Sequence, residues 1–139
     1  MFKRILTPVD FSEKSSRAVD VASGLAAGTR GEVILLHVIE TIEHLKFEEI
    51  RSFYDKLEKH ATAELHKLRE QAVQPGVSVR EDVVYGKRAR SILDYAAKHR
   101  LDLIVMSSHR VELGREGSSL ATISYEVAVL APCPVLLLK

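Results

Sequence analysis

The chain has 139 residues, 46% of them hydrophobic and 28% charged, with a formal net charge of +1. That length suits one domain with a real core, and the near-neutral balance gives no general electrostatic case for nucleic acid or an anionic membrane surface. The single cysteine, Cys133, excludes an intramolecular disulfide and makes the cytoplasm the expected compartment.

No apolar run approaches the roughly 20 residues that span a bilayer, and the N-terminal stretch lacks the apolar core of a signal peptide. Ile5–Val9 reads as a first, short strand. Ser12 is placed to cap the next helix, with Glu13 in the first turn where the helix dipole favours an acid. Ala18, Val21, Ala22 and Leu25 lie on one helical face, and Gly28 and Gly31 are expected to end that helix. Val33–Ile39 is a second strand, apolar on both faces, followed by an irregular segment to Phe47. Ile50, Tyr54, Leu57, Ala61, Leu65, Leu68 and Ala72 keep helical spacing until Pro75-Gly76. Val77–Tyr85 alternates at first, which predicts a strand near a sheet edge. Beyond Gly86, Ala89, Ile92, Leu93, Ala96 and Ala97 form the apolar stripe of a third helix. Leu101–Met106, Leu120–Leu130 and Val135–Leu138 complete the chain as strand, helix and strand.

Strands that alternate with helices predict an α/β fold: a single doubly wound, five-stranded parallel sheet with helices on both faces and right-handed crossovers. Ligands of such sheets sit beyond the strand C-termini, where neighbouring connections leave for opposite faces. Those ends here are Val9-Asp10, Val38-Ile39, Tyr85-Gly86 and the segment from Ser107 to Arg110. After the fourth strand comes a small-residue loop with Ser107, Ser108, Gly114, Gly117, Ser118 and Ser119, and with Arg110 and Arg115 among them. Free backbone N–H groups in a loop of this kind favour an anion.

The runs ILTPVDFSEKSSRAV, LLHVI, LDLIVMSSHR and LAPCPVLLL, in that order, resemble the universal stress protein family over essentially the whole chain. The resemblance implies an adenine nucleotide alpha hydrolase-like sheet of order 3-2-1-4-5, often dimeric through the last strand. It also implies ATP or AMP as the ligand class, since many members bind one of them and others do not. The nucleotide-binding members carry Gly, two residues, Gly, nine residues, then Gly-Ser or Gly-Thr. In this chain those glycines fall on Ser107, Arg110 and Ala121, with ten residues between the last two. The hydroxyl position survives as Thr122 and the loop histidine as His109. Glycines there allow positive φ and close approach of backbone to phosphate, so the motif is degenerate where it bears on the ligand. Gly114 and Gly117 offer another turn, and Arg110 and Arg115 are available to pair phosphate.

The resulting nucleotide-site candidates are Pro8, Val9, Asp10, Val38, Met106, Ser107, Ser108, His109, Arg110, Ser118, Ser119 and Thr122. By the resemblance, Asp10 meets the adenosine part of the ligand and the backbone of Val38 faces adenine. Read from the residues alone, Asp10 serves equally as a helix-start residue and Val38 as core. Ser118 and Ser119 precede an apolar run, where capping of the fourth helix is the simpler role. His37 lies inside an apolar strand and is expected to be a satisfied core histidine. His44, His60, His66 and His99 fall on loops or polar helix faces, without metal-ligand spacing, so no metal site is predicted. Gly117-Ser118-Ser119 is not a nucleophile elbow, and Cys133 between two prolines reads as structural.

Val135, Leu136, Leu137 and Leu138 at a sheet edge would expose unpaired backbone groups, which pairing with a second copy would satisfy. The reading is therefore a cytoplasmic homodimer that senses an adenine nucleotide or another small anion. Its alternative is a dimeric stress-response scaffold that binds no nucleotide and acts through a protein partner. No positioned base or Mg²⁺ carboxylate pair supports an enzyme, and a slow ATPase is the third reading. Neither nucleic acid nor a membrane is an expected partner.

Overall fold

The computed structural model describes residues 1–43, 45–108 and 122–139. Five strands form one parallel sheet: β1 (Arg4–Pro8), β2 (Glu32–Glu40), β3 (Ser78–Gly86), β4 (Leu103–Ser107) and β5 (Val135–Leu138). Their order is β3-β2-β1-β4-β5, as expected, with β3 and β5 at the edges. Registers such as Leu6 opposite both Ile34 and Ile104 align the strand tips at one end. Helices α1 (Glu13–Thr29), α2 (Arg51–Ala72), α3 (Arg88–Lys98) and α4 (Ile123–Leu130) cover the faces, and a short 3-10 turn, Phe47–Ile50, leads into α2.

Alternation along β1 divides the core. Ile5 and Val9 pack with Ala18, Ala22 and Ala26 of α1 and Leu65 and Ala72 of α2. Leu6 points the other way, onto Ile92 and Ala96 of α3 and Val127 of α4. Strands buried on both faces have to be apolar throughout, which is why β1, β2 and β4 read as continuous runs. The edge strand β3 is mostly half-buried. Among the described residues no helix is long and apolar enough to cross a membrane.

Several local expectations need correction. Helix α1 does not end at a glycine: Gly28 is helical, and Arg30 takes the left-handed cap position at φ 54°, its N–H directed to Ala26 and Ala27 carbonyls. Gly31 follows because β1 passes so close that a Cβ would lie 2.6 Å from the Lys3 carbonyl oxygen. The buried face of α1 is Ser15, Ala18, Val19, Ala22, Ser23 and Ala26, while Leu25 is exposed. Two buried serines displaced the face by one position. Ser23 is accommodated because its hydroxyl donates to the Ala72 carbonyl at 2.6 Å. On α3, Tyr95 is buried and Ala97 is not. Strand β4 begins at Leu103, not Leu101, because the Asp102 side chain is drawn into accepting hydrogen bonds from the Lys3 and Arg4 amides. Helix α4 begins at Ile123, and its cap is Thr122, whose side chain accepts from the Tyr125 amide at 3.3 Å. Ser118 and Ser119, the expected caps, lie outside the described residues; the described helix starts from an extended Thr122, at ψ 158°.

Candidate functional site

Helix α1 leaves β1 for one face of the sheet and α4 leaves β4 for the other, so the tips of these adjacent strands diverge. A cavity of about 500 Å³ opens between them. This is where the connections of a doubly wound sheet leave room for a ligand. Pro8 and the Val9 that follows it floor the cavity at the end of β1, Leu36 and Val38 from β2, and Met106, Ser107 and the following Ser108 at the end of β4. Three helices present their first turns to the same space: α1 through Ser12, Lys14 and Ser15, α3 through Arg88 and Ile92, and α4 through Thr122, Ile123 and Ser124. Helix N-termini carry unpaired N–H groups and partial positive charge. Lys14 and Arg88 add two full positive charges.

Among the described residues Asp10 is the one carboxylate on this wall. Its Oδ1 accepts from the Ser12 amide at 3.0 Å and the Ser15 hydroxyl at 2.6 Å. The same Ser15 oxygen accepts from the Asp10 amide at 2.9 Å, and Ser12 in turn caps the Ser15 amide at 3.2 Å. Partial burial pushes the carboxyl up, but the hydrogen bonds from Ser12 and Ser15 and the charge of Arg88 outweigh it and hold Asp10 below its ordinary range. Asp10 is thus ionised, exposed at the mouth, and anchored through one oxygen.

The conformation of the next residue orients it. Phe11 sits at φ 67°, left-handed for a bulky side chain, at a cost on the order of 1–2 kcal/mol. That turn sends the Phe11 ring to the α1–α2 side while Asp10 keeps to the crevice. The ring stacks on His37 at 4.3 Å and meets the edge of His60 at 6.0 Å. His37 Nδ1 lies 2.8 Å from the Val9 carbonyl oxygen, so the histidine is half-buried and satisfied, as its strand context predicts.

Opposite Asp10, hydroxyls form a chain: Ser108 Oγ is 3.1 Å from Ser124 Oγ, which is 3.2 Å from Thr122 Oγ1. Arg88 Nε stands 3.7 Å from the Glu40 carboxylate at the tip of β2. Cys133 lies outside the crevice, packed against the α3–α4 core, and burial raises its thiol pKa, with Asp102 adding to the effect. His66 contacts Glu81 at 2.9 Å and His99 stacks on Tyr95 at 4.0 Å, both away from the site. Among the described residues no three His, Cys, Asp or Glu side chains gather as a metal site would need.

Of the sequence candidates, Pro8, Val9, Asp10, Val38, Met106, Ser107, Ser108 and Thr122 come together around this cavity. His109, Arg110, Ser118 and Ser119 lie outside the described residues, as does His44. Sequence reasoning missed Lys14, Ser15, Arg88 and Ser124. Ser15 was legible, since it stands three residues after the cap, where the first turn faces the strand tips. Arg88 had a weaker signal: it opens the helix that follows Gly86, a strand end already counted at that rim.

The family model that matches the chain is the universal stress protein family, over residues 1–139. A universal stress protein of Thermus aquaticus is 33% identical, with both chains covered completely. The solved structure of MJ0577, a universal stress protein of Methanocaldococcus jannaschii, superposes with a TM-score of 0.84 at 29% identity, covering 100% of this chain and 96% of that one. A universal stress protein in complex with cAMP gives a TM-score of 0.76 at 20% identity, covering 99% and 97%. The Archaeoglobus fulgidus protein in complex with dAMP gives 0.67 at 20% identity, covering both chains completely. These last two likenesses are of fold.

Proposed function

The chain belongs to the universal stress protein family, and on that premise we propose that its crevice holds an adenine nucleotide and serves as a sensor rather than a catalyst. The observation that carries this reading is the convergence of three helix N-termini and two cations on a cavity that has one anchored carboxylate at its mouth. Asp10 uses Oδ1 within the protein, so Oδ2 is left to accept from a ribose hydroxyl. Val38 and Met106 supply apolar walls for a base. Lys14, Arg88 and the α4 first turn supply positive charge and hydroxyls for phosphate. The cAMP and dAMP complexes of two proteins with this fold support the choice of an adenine nucleotide.

Calorimetry with ATP, ADP and AMP tests it. One of the three is expected to bind saturably, with Asp10→Asn weakening it about tenfold through loss of a charge-assisted hydrogen bond. Affinity in the millimolar range or absent for all three overturns the sensor reading. That result would favour the scaffold without nucleotide, which Ser107, Arg110 and Ala121 in place of the family glycines also support. A turnover assay with and without Mg²⁺ addresses the ATPase reading.

The same proposal includes a homodimer through β5. In a parallel ladder alternate residues face each neighbour. Pro134 and Leu138 carbonyls accept from β4, so Val135 and Leu137 turn their backbone groups outward. Beside that edge, on the α4 side, Tyr125, Val129 and Leu130 are 47%, 62% and 64% exposed, and on the other face of β5 Leu136 is 37% exposed, apolar surface that a second copy would cover.

A further inference from the structure

At the opposite end of the sheet, the starts of β1, β2 and β3 and the C-terminal ends of α1 and α2 border an open depression of about 670 Å³, whose cationic side chains are exposed. Its walls carry Lys3, Arg30, Arg69 and Arg80 against one carboxylate, Glu32. That carboxylate is already shared, with Arg4 Nε at 3.8 Å and Arg80 Nη1 at 3.5 Å. The side chains of Lys3, Arg30 and Arg69 have no ion-pair or hydrogen-bond partner among the described residues. A chain of net charge +1 therefore gathers a local excess of positive charge in one concave place.

Arg30 argues that the excess is built rather than incidental. It occupies the left-handed cap of α1, at φ 54°, where glycine is the unstrained choice. Its stem runs beside the turn at Gly76, whose Cβ, if present, would lie 3.6 Å from Arg30 Cγ. The guanidinium thus leaves a fixed backbone point across from Arg69, on the last turn of α2. Helix dipoles favour cations at both these C-termini, but they do not account for Lys3 and Arg80 on the facing strands.

We infer that this cleft binds a short linear oligophosphate, independently of the nucleotide crevice. The two unpartnered guanidinium forks, Arg30 and Arg69, match phosphate oxygens two at a time, with Lys3 and the Glu32-paired Arg80 beside them. Lys3, Arg30, Arg69 and Arg80 against Glu32 leave an excess of positive charge greater than the roughly two negative charges of one phosphate, whereas a chain of phosphates meets several cations at once. The lining has no aromatic side chain on which a base could stack, so single-stranded nucleic acid is a poorer fit. An acidic peptide spaces its same-face carboxylates about 7 Å apart and presents less charge to the same length of cleft.

Calorimetry with tripolyphosphate at low salt, on the intact chain, tests this. Saturable binding is expected, weakening at least tenfold in the Arg30→Ala/Arg69→Ala double variant and unchanged in Lys56→Ala, an exposed lysine that lines neither cavity. Arg30→Gly separates binding from folding: it should raise the thermal midpoint by relieving the backbone while still weakening tripolyphosphate. ATP distinguishes a free oligophosphate from a nucleotide tail. If its triphosphate enters the cleft, ATP binding to Asp10→Asn will retain a component sensitive to the double variant. No saturable heat with tripolyphosphate, or binding indifferent to Arg30 and Arg69, overturns the inference. So does equal, equally sensitive binding of an oligoglutamate peptide, which would assign the cleft to an acidic protein segment.

Discussion

Ser15 and Asp10 hold each other by two hydrogen bonds through one oxygen: the Ser15 hydroxyl donates to Oδ1 at 2.6 Å and accepts from the Asp10 amide at 2.9 Å. The pair fixes the carboxylate at the crevice mouth and ties the end of β1 to the first turn of α1. Ser15→Ala removes both bonds at a side chain only 1% exposed, so a loss of about 1–3 kcal/mol in urea unfolding is expected. It also releases Asp10 from one of the interactions that depress its pKa. A depressed carboxyl adds stability that is present above its unfolded value, ordinarily 3.8, and is lost as pH falls through the lower folded value. The Asp10 part of the acid limb should therefore shrink: starting from a lower stability, the variant loses less than the parent as pH falls below 3.8. An unchanged acid limb would show that Asp10 is held by Ser12 and Arg88 alone.

His37 gives a second pH dependence, of the same sign. Burial lowers its pKa from 6.5, and the charge of Arg88 adds to this, against the Val9 carbonyl and Asp10, which raise it. The folded chain then binds fewer protons than the unfolded one just below pH 6.5, so stability present above that value declines as pH falls. The His37 resonance in an NMR titration should have its midpoint below 6.5, and Phe11→Ala, by opening the stacked face to water, should move it back up. A midpoint at or above 6.5 in the parent would contradict the burial seen here.

Three glycines separate freedom from crowding. Gly24 and Gly28 lie inside α1 with nothing within 4 Å of an added Cβ. Alanine there should stabilise by about 0.5–1 kcal/mol each, since glycine loses more backbone entropy on entering a helix. Gly31→Ala should cost about 1–3 kcal/mol, because the new Cβ meets the Lys3 carbonyl oxygen at 2.6 Å and the backbone of β1 has to yield. Urea midpoints of the three variants test both signs.

The strands were legible because burial on two faces demands unbroken apolar runs, and β1, β2 and β4 carry them. The crevice was legible as strand tips: Asp10, Val38 and Ser107 each end a run. What escaped reading depends on long-range contacts. Ser23 looks like a polar-face residue until Ala72, forty-nine positions away, supplies its acceptor. Arg30 looks unsuited to a left-handed cap, and only the passage of β1 explains why the glycine sits one residue later. Phe11 at positive φ has no sequence signature at all, because its compensation is a ring stack on a histidine from another strand.

The dimer reading turns on the patch beside β5. If a second copy pairs along Val135 and Leu137, then Val129 and Leu130, at the end of α4, lie at the rim of that contact. Lysine at both positions is the informative change. A cation near a helix C-terminus is favoured by the dipole, so α4 itself should not suffer. Two desolvated charges facing their own symmetry mates would nonetheless oppose association. Sedimentation should then show a dimer for the parent and a monomer for Val129→Lys/Leu130→Lys, with unchanged far-ultraviolet circular dichroism. The thermal midpoint of the parent should rise with protein concentration and that of the variant should not. A parent chain that sediments as a monomer at micromolar concentration would leave the outward groups of Val135 and Leu137 to water, and the homodimer would have to be given up.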